Sequence, residues 1–280
     1  MSQSSQDQAA TPCETCPAHR SGYLLKQGID LTDWDYVVAL AGNPNVGKST
    51  LFNALTGLHQ HTGNWPGKTV SRAEGGFSYG DKRYKLIDLP GTYSLLSTSA
   101  DEEIARNFIL FSQPDVTVIV VDATRLERNL NLVLQVLAIT DRAVISLNLM
   151  DEAARHGLQI DDRRLARDLG VPVVPTVARQ SQGLDQLLQS IHDVSTGKTV
   201  CRPLRIKSES PAISQAIAHL ETVIQEIFPD LPNTRWVAMR LLDGDQRIVE
   251  AMRSGELSEL SGVGEDQDGT SAGLKLELAT

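Results

Sequence analysis

From residue 36 onward the chain alternates short apolar runs with stretches whose apolar residues recur every three or four positions. Tyr36-Val37-Val38-Ala39-Leu40-Ala41 is apolar throughout, as a strand covered on both faces must be. The next element, from Lys48 to Gly57, puts Leu51, Phe52, Leu55 and Leu58 on one helical face and ends on glycine. A turn-rich stretch at 59–68 follows, then strands at 69–79 and 82–86 joined around Gly80-Asp81. Helices at 101–111, 126–140, 161–169 and 184–192 then alternate with strands at 116–121, 144–149 and 171–174. Such alternation implies an α/β fold, a mostly parallel sheet of about six strands flanked by helices, over residues 35–203.

Near residue 203 the alternation stops. Ser208-Glu209-Ser210-Pro211 combines N-cap residues with proline at a first helical position. Ile213, Ala216, Ile217, Leu220, Ile224 and Ile227 then trace a helical stripe. Further helices are predicted from Asn233 through Trp236 to Gly244, and from Asp245 through Ile248 and Met252. Residues 204–262 therefore read as a small all-helical domain and 263–280 as a disordered tail. Residues 1–34 are polar and read as a flexible extension. Within it Cys13, Cys16 and His19 supply three metal-type ligands, one short of the four usual for structural zinc.

Composition narrows the partners. A net charge of −9 is the wrong sign for a nucleic-acid surface. No apolar run approaches the ~20 residues of a membrane helix, and the polar N-terminus has no signal-peptide core. Three cysteines make no disulfide framework, so the expectation is a soluble piece in a reducing compartment.

The chemistry begins at Gly42-Asn43-Pro44-Asn45-Val46-Gly47-Lys48-Ser49-Thr50, a match to G-x-x-x-x-G-K-[ST] between a predicted strand and helix. Backbone N–H groups of such a loop wrap polyphosphate; Lys48 reaches the β/γ-phosphates and the Ser49 hydroxyl can ligate Mg²⁺. Asp88-Leu89-Pro90-Gly91 ends a strand, so Asp88 can hold Mg²⁺ through water and Gly91 can offer its N–H to a γ-phosphate. Asn148-Leu149-Met150-Asp151 ends another. An Asp there can accept from N1–H and the 2-amino group of guanine, a donor pair adenine lacks, and Asn148 can reach the N7/O6 edge. Leu149 stands where the usual form has Lys. In the loop Val177-Ala178-Arg179 the Ala178 N–H could meet the guanine oxygen, with an ordinary loop as the equal alternative. Thr69 is preferred to Thr62 as the mobile Thr that completes a Mg²⁺ shell only when a γ-phosphate is present. Trp65, close by, reads as a packing anchor rather than a ligand contact.

These motifs make the fold a P-loop NTPase of the Ras-like type. Gly42-Asn43-Pro44-Asn45, Gly63-Asn64-Trp65-Pro66-Gly67-Lys68-Thr69-Val70 and Asp88-Leu89-Pro90-Gly91-Thr92-Tyr93-Ser94-Leu95 resemble the bacterial ferrous iron transport protein B family. So do Val121-Asp122-Ala123, Leu126-Glu127-Arg128-Asn129-Leu130, Arg235-Trp236 and Leu241-Leu242-Asp243-Gly244-Asp245; the likeness spans about residues 36–252. It implies a GTPase domain and a helical domain on the cytoplasmic face of the bacterial inner membrane. There they would couple GTP or GDP to a membrane channel portion lying outside this sequence, with a homo-oligomer left open. The 34-residue lead-in, Leu149 and Ala178 depart from the family pattern.

Thr92 stands where Ras-type sites carry the water-orienting Gln, which implies slow hydrolysis with water held by the Gly91–Thr92 backbone and Thr69. The resemblance further implies that Asn45 ligates K⁺ where an arginine finger would act; the alternative is that Asn45 only supports the loop. Two other functions are compatible with a phosphate loop: a nucleotide-gated binding switch, and a ribosome- or tRNA-associated GTPase, for which residues after 204 carry no basic run.

Overall fold

The computed structural model describes residues 24–25, 27–57, 60–96, 99–205, 210–229, 231–254 and 257. Its strands are β1 (Tyr36–Gly42), β2 (Gln60–Asn64), β3 (Ser71–Tyr79), β4 (Lys82–Asp88), β5 (Val116–Asp122), β6 (Ala143–Asn148) and β7 (Val173–Pro175). They form one sheet in the order β2-β3-β4-β1-β5-β6-β7. The pairs β4–β1, β1–β5, β5–β6 and β6–β7 are parallel, whereas β2–β3 and β3–β4 are antiparallel.

Side chains of a strand alternate between faces, so β1 feeds two cores. Val38 and Leu40 meet Leu51, Phe52, Leu187 and Ile191 on one side. Val37, Ala39 and Ala41 join Phe108, Val133 and Leu137 on the other. The helices of this region are α1 (Lys48–Thr56), α2 (Ala100–Asn107), α3 (Leu126–Ile139), α4 (Met150–Arg155), α5 (Asp162–Leu169) and α6 (Leu184–Ser195), the named partners coming from α1, α3, α6 and the residue after α2.

The sheet has seven strands instead of the expected six. The additional one, β2, forms inside the stretch assigned to turns. Its residues Gln60-His61-Thr62-Gly63-Asn64 carry no apolar alternation, and pairing with β3 alone makes them a strand. Helix α4 was also missed, because six residues are too few for a helical period to show. The helix expected at 101–111 divides into α2 and a π-helical turn, Phe108–Ser112, in which all five residues are buried.

The boundary expected at residue 34 falls inside packed structure. Leu24 and Ile29 are fully buried members of the core that also holds Trp65 and Phe108. The Cys13, Cys16 and His19 group, Ser208, Glu209 and the tail at 263–280 lie outside the described residues.

Beyond residue 205 come α7 (Pro211–Ile227), α8 (Thr234–Leu242) and α9 (Gln246–Ser254). Ser210 caps α7 by accepting from Ile213 N, with Pro211 at the first helical position as expected. This helical region docks on α2: Arg247 of α9 donates twice to Glu103 Oε1, at 3.0 and 2.8 Å, and Arg106 lies 5.9 Å from the Trp236 ring of α8.

Candidate functional site

In a parallel sheet the carboxyl ends of neighbouring strands open onto one edge, the usual place for a ligand. The register puts Leu40 opposite Asp88, Gly42 opposite Val120 and Asp122 opposite Asn148. Three segments far apart in sequence, 42–50, 88–92 and 148–151, thereby share one rim.

The loop after β1 turns sharply into α1. Asn45 and Gly47 both have positive φ, 65° and 85°, values that Asn tolerates and glycine adopts freely. A Cβ on Gly42 would lie 2.7 Å from Val120 O, so β5 also demands glycine there. Helix α1 begins without a side-chain cap and with no acidic residue in its first turn. Its leading N–H groups and the positive end of its dipole are thus left for an anion. Asn43 and Val46 are buried, while Asn45, Ser49 and Thr50 are exposed.

Lys48 donates to Asp88 Oδ1 across this rim, with only 11% and 17% of the two side chains exposed. Burial pushes the Asp88 carboxyl above the usual carboxylate range, against the opposing pull of Lys48. Gly91 passes close to the loop: a Cβ there would touch Pro44 Cα at 3.4 Å. The Thr92 N–H donates to Gly42 O at 3.2 Å, and its hydroxyl is engaged with the Ser94 backbone. Neither group of Thr92 therefore has the freedom expected of a water-positioning group in this state. Gln135 of α3, which carried no sequence signal, holds the following segment by accepting from Leu95 N at 2.6 Å and Ser94 Oγ at 3.2 Å.

Asn148 differs most from expectation. Its side chain is buried, donating to Val46 O at 3.0 Å and accepting from Ala178 N at 3.0 Å and the Thr176 hydroxyl at 3.4 Å. It ties the phosphate loop to the loop after β7 instead of pointing at a base edge, and it occupies the Ala178 N–H. Thr176, itself buried and hydrogen-bonded to Ser146, is a support that sequence reasoning missed, since a Thr at a strand end is commonplace. A Cβ on Gly47 would sit 2.4 Å from Asn148 Nδ2. Gly47→Ala therefore adds a clash to an unfavourable φ and is expected to cost about 2–3 kcal/mol in thermal unfolding. An unchanged melting curve would show that the loop yields freely.

Leu149 adopts the left-handed conformation, φ 64°, unusual for a bulky residue and the kind of backbone strain that gathers at sites. With Met150 it is half-buried. Asp151 follows in the first turn of α4. Arg179, beside Val177 and Ala178, donates to Asp151 Oδ2, and Oδ1 is buried with no hydrogen-bond partner. Burial raises the Asp151 carboxyl, but Arg179 and Arg155 more than offset it and hold the group below the usual carboxylate range.

Thr69 and Thr62 separate clearly. Thr62 lies within β2, opposite Ala73. Thr69 is exposed on the turn closed by Trp65 N to Val70 O and Lys68 N to Trp65 O, both 3.0 Å. Because Ala73 of β3 pairs with Asp88, the turn before Ser71 projects past the rim that carries Asp88. Trp65 is the anchor expected of it, 2% exposed and edge-on to Phe108 at 5.6 Å.

A mostly parallel sheet with a phosphate loop after β1, an acidic residue ending β4 and an N-x-x-D segment ending β6 defines a P-loop domain of the G-domain fold, here followed by a helical region. The chain belongs to the ferrous iron transport protein B family: the model for that family matches residues 36–191, and that for the FeoB cytosolic helical domain matches 210–272. It is 38% identical over 226 residues to the Fe(2+) transporter FeoB of Escherichia coli and 40% identical over 226 residues to that of Salmonella typhimurium. Each alignment takes in 79% of this chain and 28% of the relative, so the chain spans less than a third of those proteins. Among solved structures it resembles the cytosolic domain of L. pneumophila FeoB, with TM-score 0.68, 35% identity and coverage of 80% of this chain and 95% of that one. The cytosolic domain of T. maritima FeoB in its GMPPNP form is also similar, at TM-score 0.70, 36% identity and coverage of 83% and 88%.

Proposed function

We propose that this chain binds GTP and hydrolyses it slowly, in a Mg²⁺-dependent and K⁺-stimulated reaction that regulates ferrous iron transport by a membrane portion outside this sequence. The observation that carries the reading is the convergence of the phosphate loop, Asp88 and Asp151 on one rim. In this reading the N–H groups of residues 42–50 surround the phosphates, and Lys48 turns from Asp88 to the β/γ-phosphates. Asp151, braced by Arg179, accepts from guanine. Asn148 contributes by fixing the phosphate loop against Ala178. Leu149, Met150, Val177 and Arg179 would frame the base, and Leu89 and Pro90 carry the chain from Asp88 to Gly91.

Ser49, Thr69 and Asp88 present only oxygen donors, a set that suits Mg²⁺ completing its shell with phosphate oxygens and water. Bound there, the ion would neutralise charge on the β- and γ-oxygens. Thr92 has no side chain long enough to replace the Gln of Ras-type sites. With its N–H given to Gly42 O, water is left to Gly91 and Thr69, and hydrolysis is slow. Asn45, exposed on the phosphate loop, offers an oxygen to K⁺.

Phosphate release from GTP, measured in KCl and in NaCl, tests this reading. The wild type should turn over faster in KCl by about tenfold, the effect of ~1.4 kcal/mol of transition-state stabilisation. Asn45→Ala should remove the difference. Equal rates of the wild type in both salts would overturn the K⁺ role, and absence of turnover in either would overturn the GTPase reading.

A further inference from the structure

The family match begins at residue 36, yet residues 24–25 and 27–35 before it are built into the fold. Ile29 N donates to Leu24 O at 3.0 Å, and both side chains are fully buried against the face that holds Trp65. Trp34 packs against β3 at Gly76: a Cβ there would come within 2.0 Å of its ring, so only glycine admits the indole. The same ring covers Lys85, whose Nζ is 5.5 Å from its centroid.

Beneath this segment is a buried ionic triad. Glu74 is paired with Arg72 at 2.7 Å and Lys85 at 2.8 Å, the three side chains being 9–11% exposed. Arg72 makes two further contacts. It donates to Gln27 O in the N-terminal segment, and its guanidinium stacks 5.4 Å from the ring of Trp65. Trp65 in turn closes the turn that bears Thr69. A continuous path of contacts therefore runs from Gln27 in this segment through Arg72 and Trp65 to that turn. Charges buried this deeply hold one geometry, since displacing a partner leaves another unpaired.

We propose that residues 24–25 and 27–34 form a strap that holds the Thr69 turn in place, and that Arg72 is a positioning residue for the γ-phosphate end of the nucleotide site. This rests on the GTP reading above, in which Thr69 acts only when a γ-phosphate is present. The strap should therefore matter for GTP and be indifferent to GDP. A purely structural strap would affect both alike.

The test uses the full chain and fluorescence titrations with GDP and with a non-hydrolysable GTP analogue, each in Mg²⁺. Ile29→Asp, which should expel the strap, and Arg72→Ala are expected to weaken the analogue about tenfold while leaving GDP within about two-fold. Arg72→Lys, which keeps a cation on Glu74, should recover most of the loss. Trp34→Ala is a milder displacement should either variant fail to fold, and it should move the analogue-to-GDP ratio in the same direction. Equal loss for both nucleotides, or none for either, overturns the strap's role. A wild-type chain that binds neither nucleotide overturns the GTP reading and this role with it.

Discussion

Replacing Lys48 by Ala is expected to weaken guanine-nucleotide binding by about 100-fold or more, the equivalent of losing charge-assisted hydrogen bonds worth roughly 3 kcal/mol. The side chain is placed for this: it begins α1, is largely buried, and already carries its ammonium to the Asp88 carboxylate on the rim. Substitution also leaves the Asp88 charge without its partner in a setting that burial already makes unfavourable. Lys48→Met, similar in length and without charge, separates the two effects. If the loss is one of phosphate contact, both variants should bind poorly while thermal unfolding shows them folded. Wild-type affinity in Lys48→Met would remove the lysine from the site.

Asp151→Asn should abolish most of the preference for guanine over adenine, with GTP affinity falling by roughly 30- to 1000-fold, as loss of about 2–4 kcal/mol from two bonds to a charged acceptor implies. The amide can accept only one of the two guanine donors and turns its own N–H₂ toward the other. That N–H₂ instead matches the C2 carbonyl of xanthine, so competition assays should show xanthosine triphosphate gaining as GTP loses. The wild-type carboxyl is held below the usual range by Arg179 and Arg155 and so stays ionised as pH falls through the ordinary carboxylate values. Guanine recognition should accordingly persist under mild acid and weaken only below them. Unchanged GTP-over-ATP selectivity in Asp151→Asn would remove Asp151 from base recognition.

Much of the fold was legible because apolar period survives in the individual elements. β1 is apolar along almost its whole length, β5 and β6 are mostly apolar, and α7 announces itself by Ser210, Pro211 and a stripe of Ile and Leu. β2 was hidden because an exposed polar edge strand has no period of its own. The strap was hidden for a related reason. Leu24 and Ile29 fall in a short stretch whose apolar residues follow no strand or helix period, so it resembles a tail until the surface they cover is known.

At the site, the residue types at 42–50, 88–91 and 148–151 follow from contiguous sequence, because backbone wrapping of phosphate needs Gly, Lys and Ser at set intervals in one loop. That much the amino-acid order determines by itself, along with the strand–helix setting that makes the loop meaningful. The partners of those residues lie elsewhere in the chain, and only the tertiary structure decided them. Asn148 is spent on Val46 and Ala178, the Thr92 N–H on Gly42, and Asp151 is shared with Arg179. The physical reason is range. A motif records what one stretch of backbone can do, whereas a side chain's hydrogen-bonding capacity is used up by whatever the sheet register brings beside it.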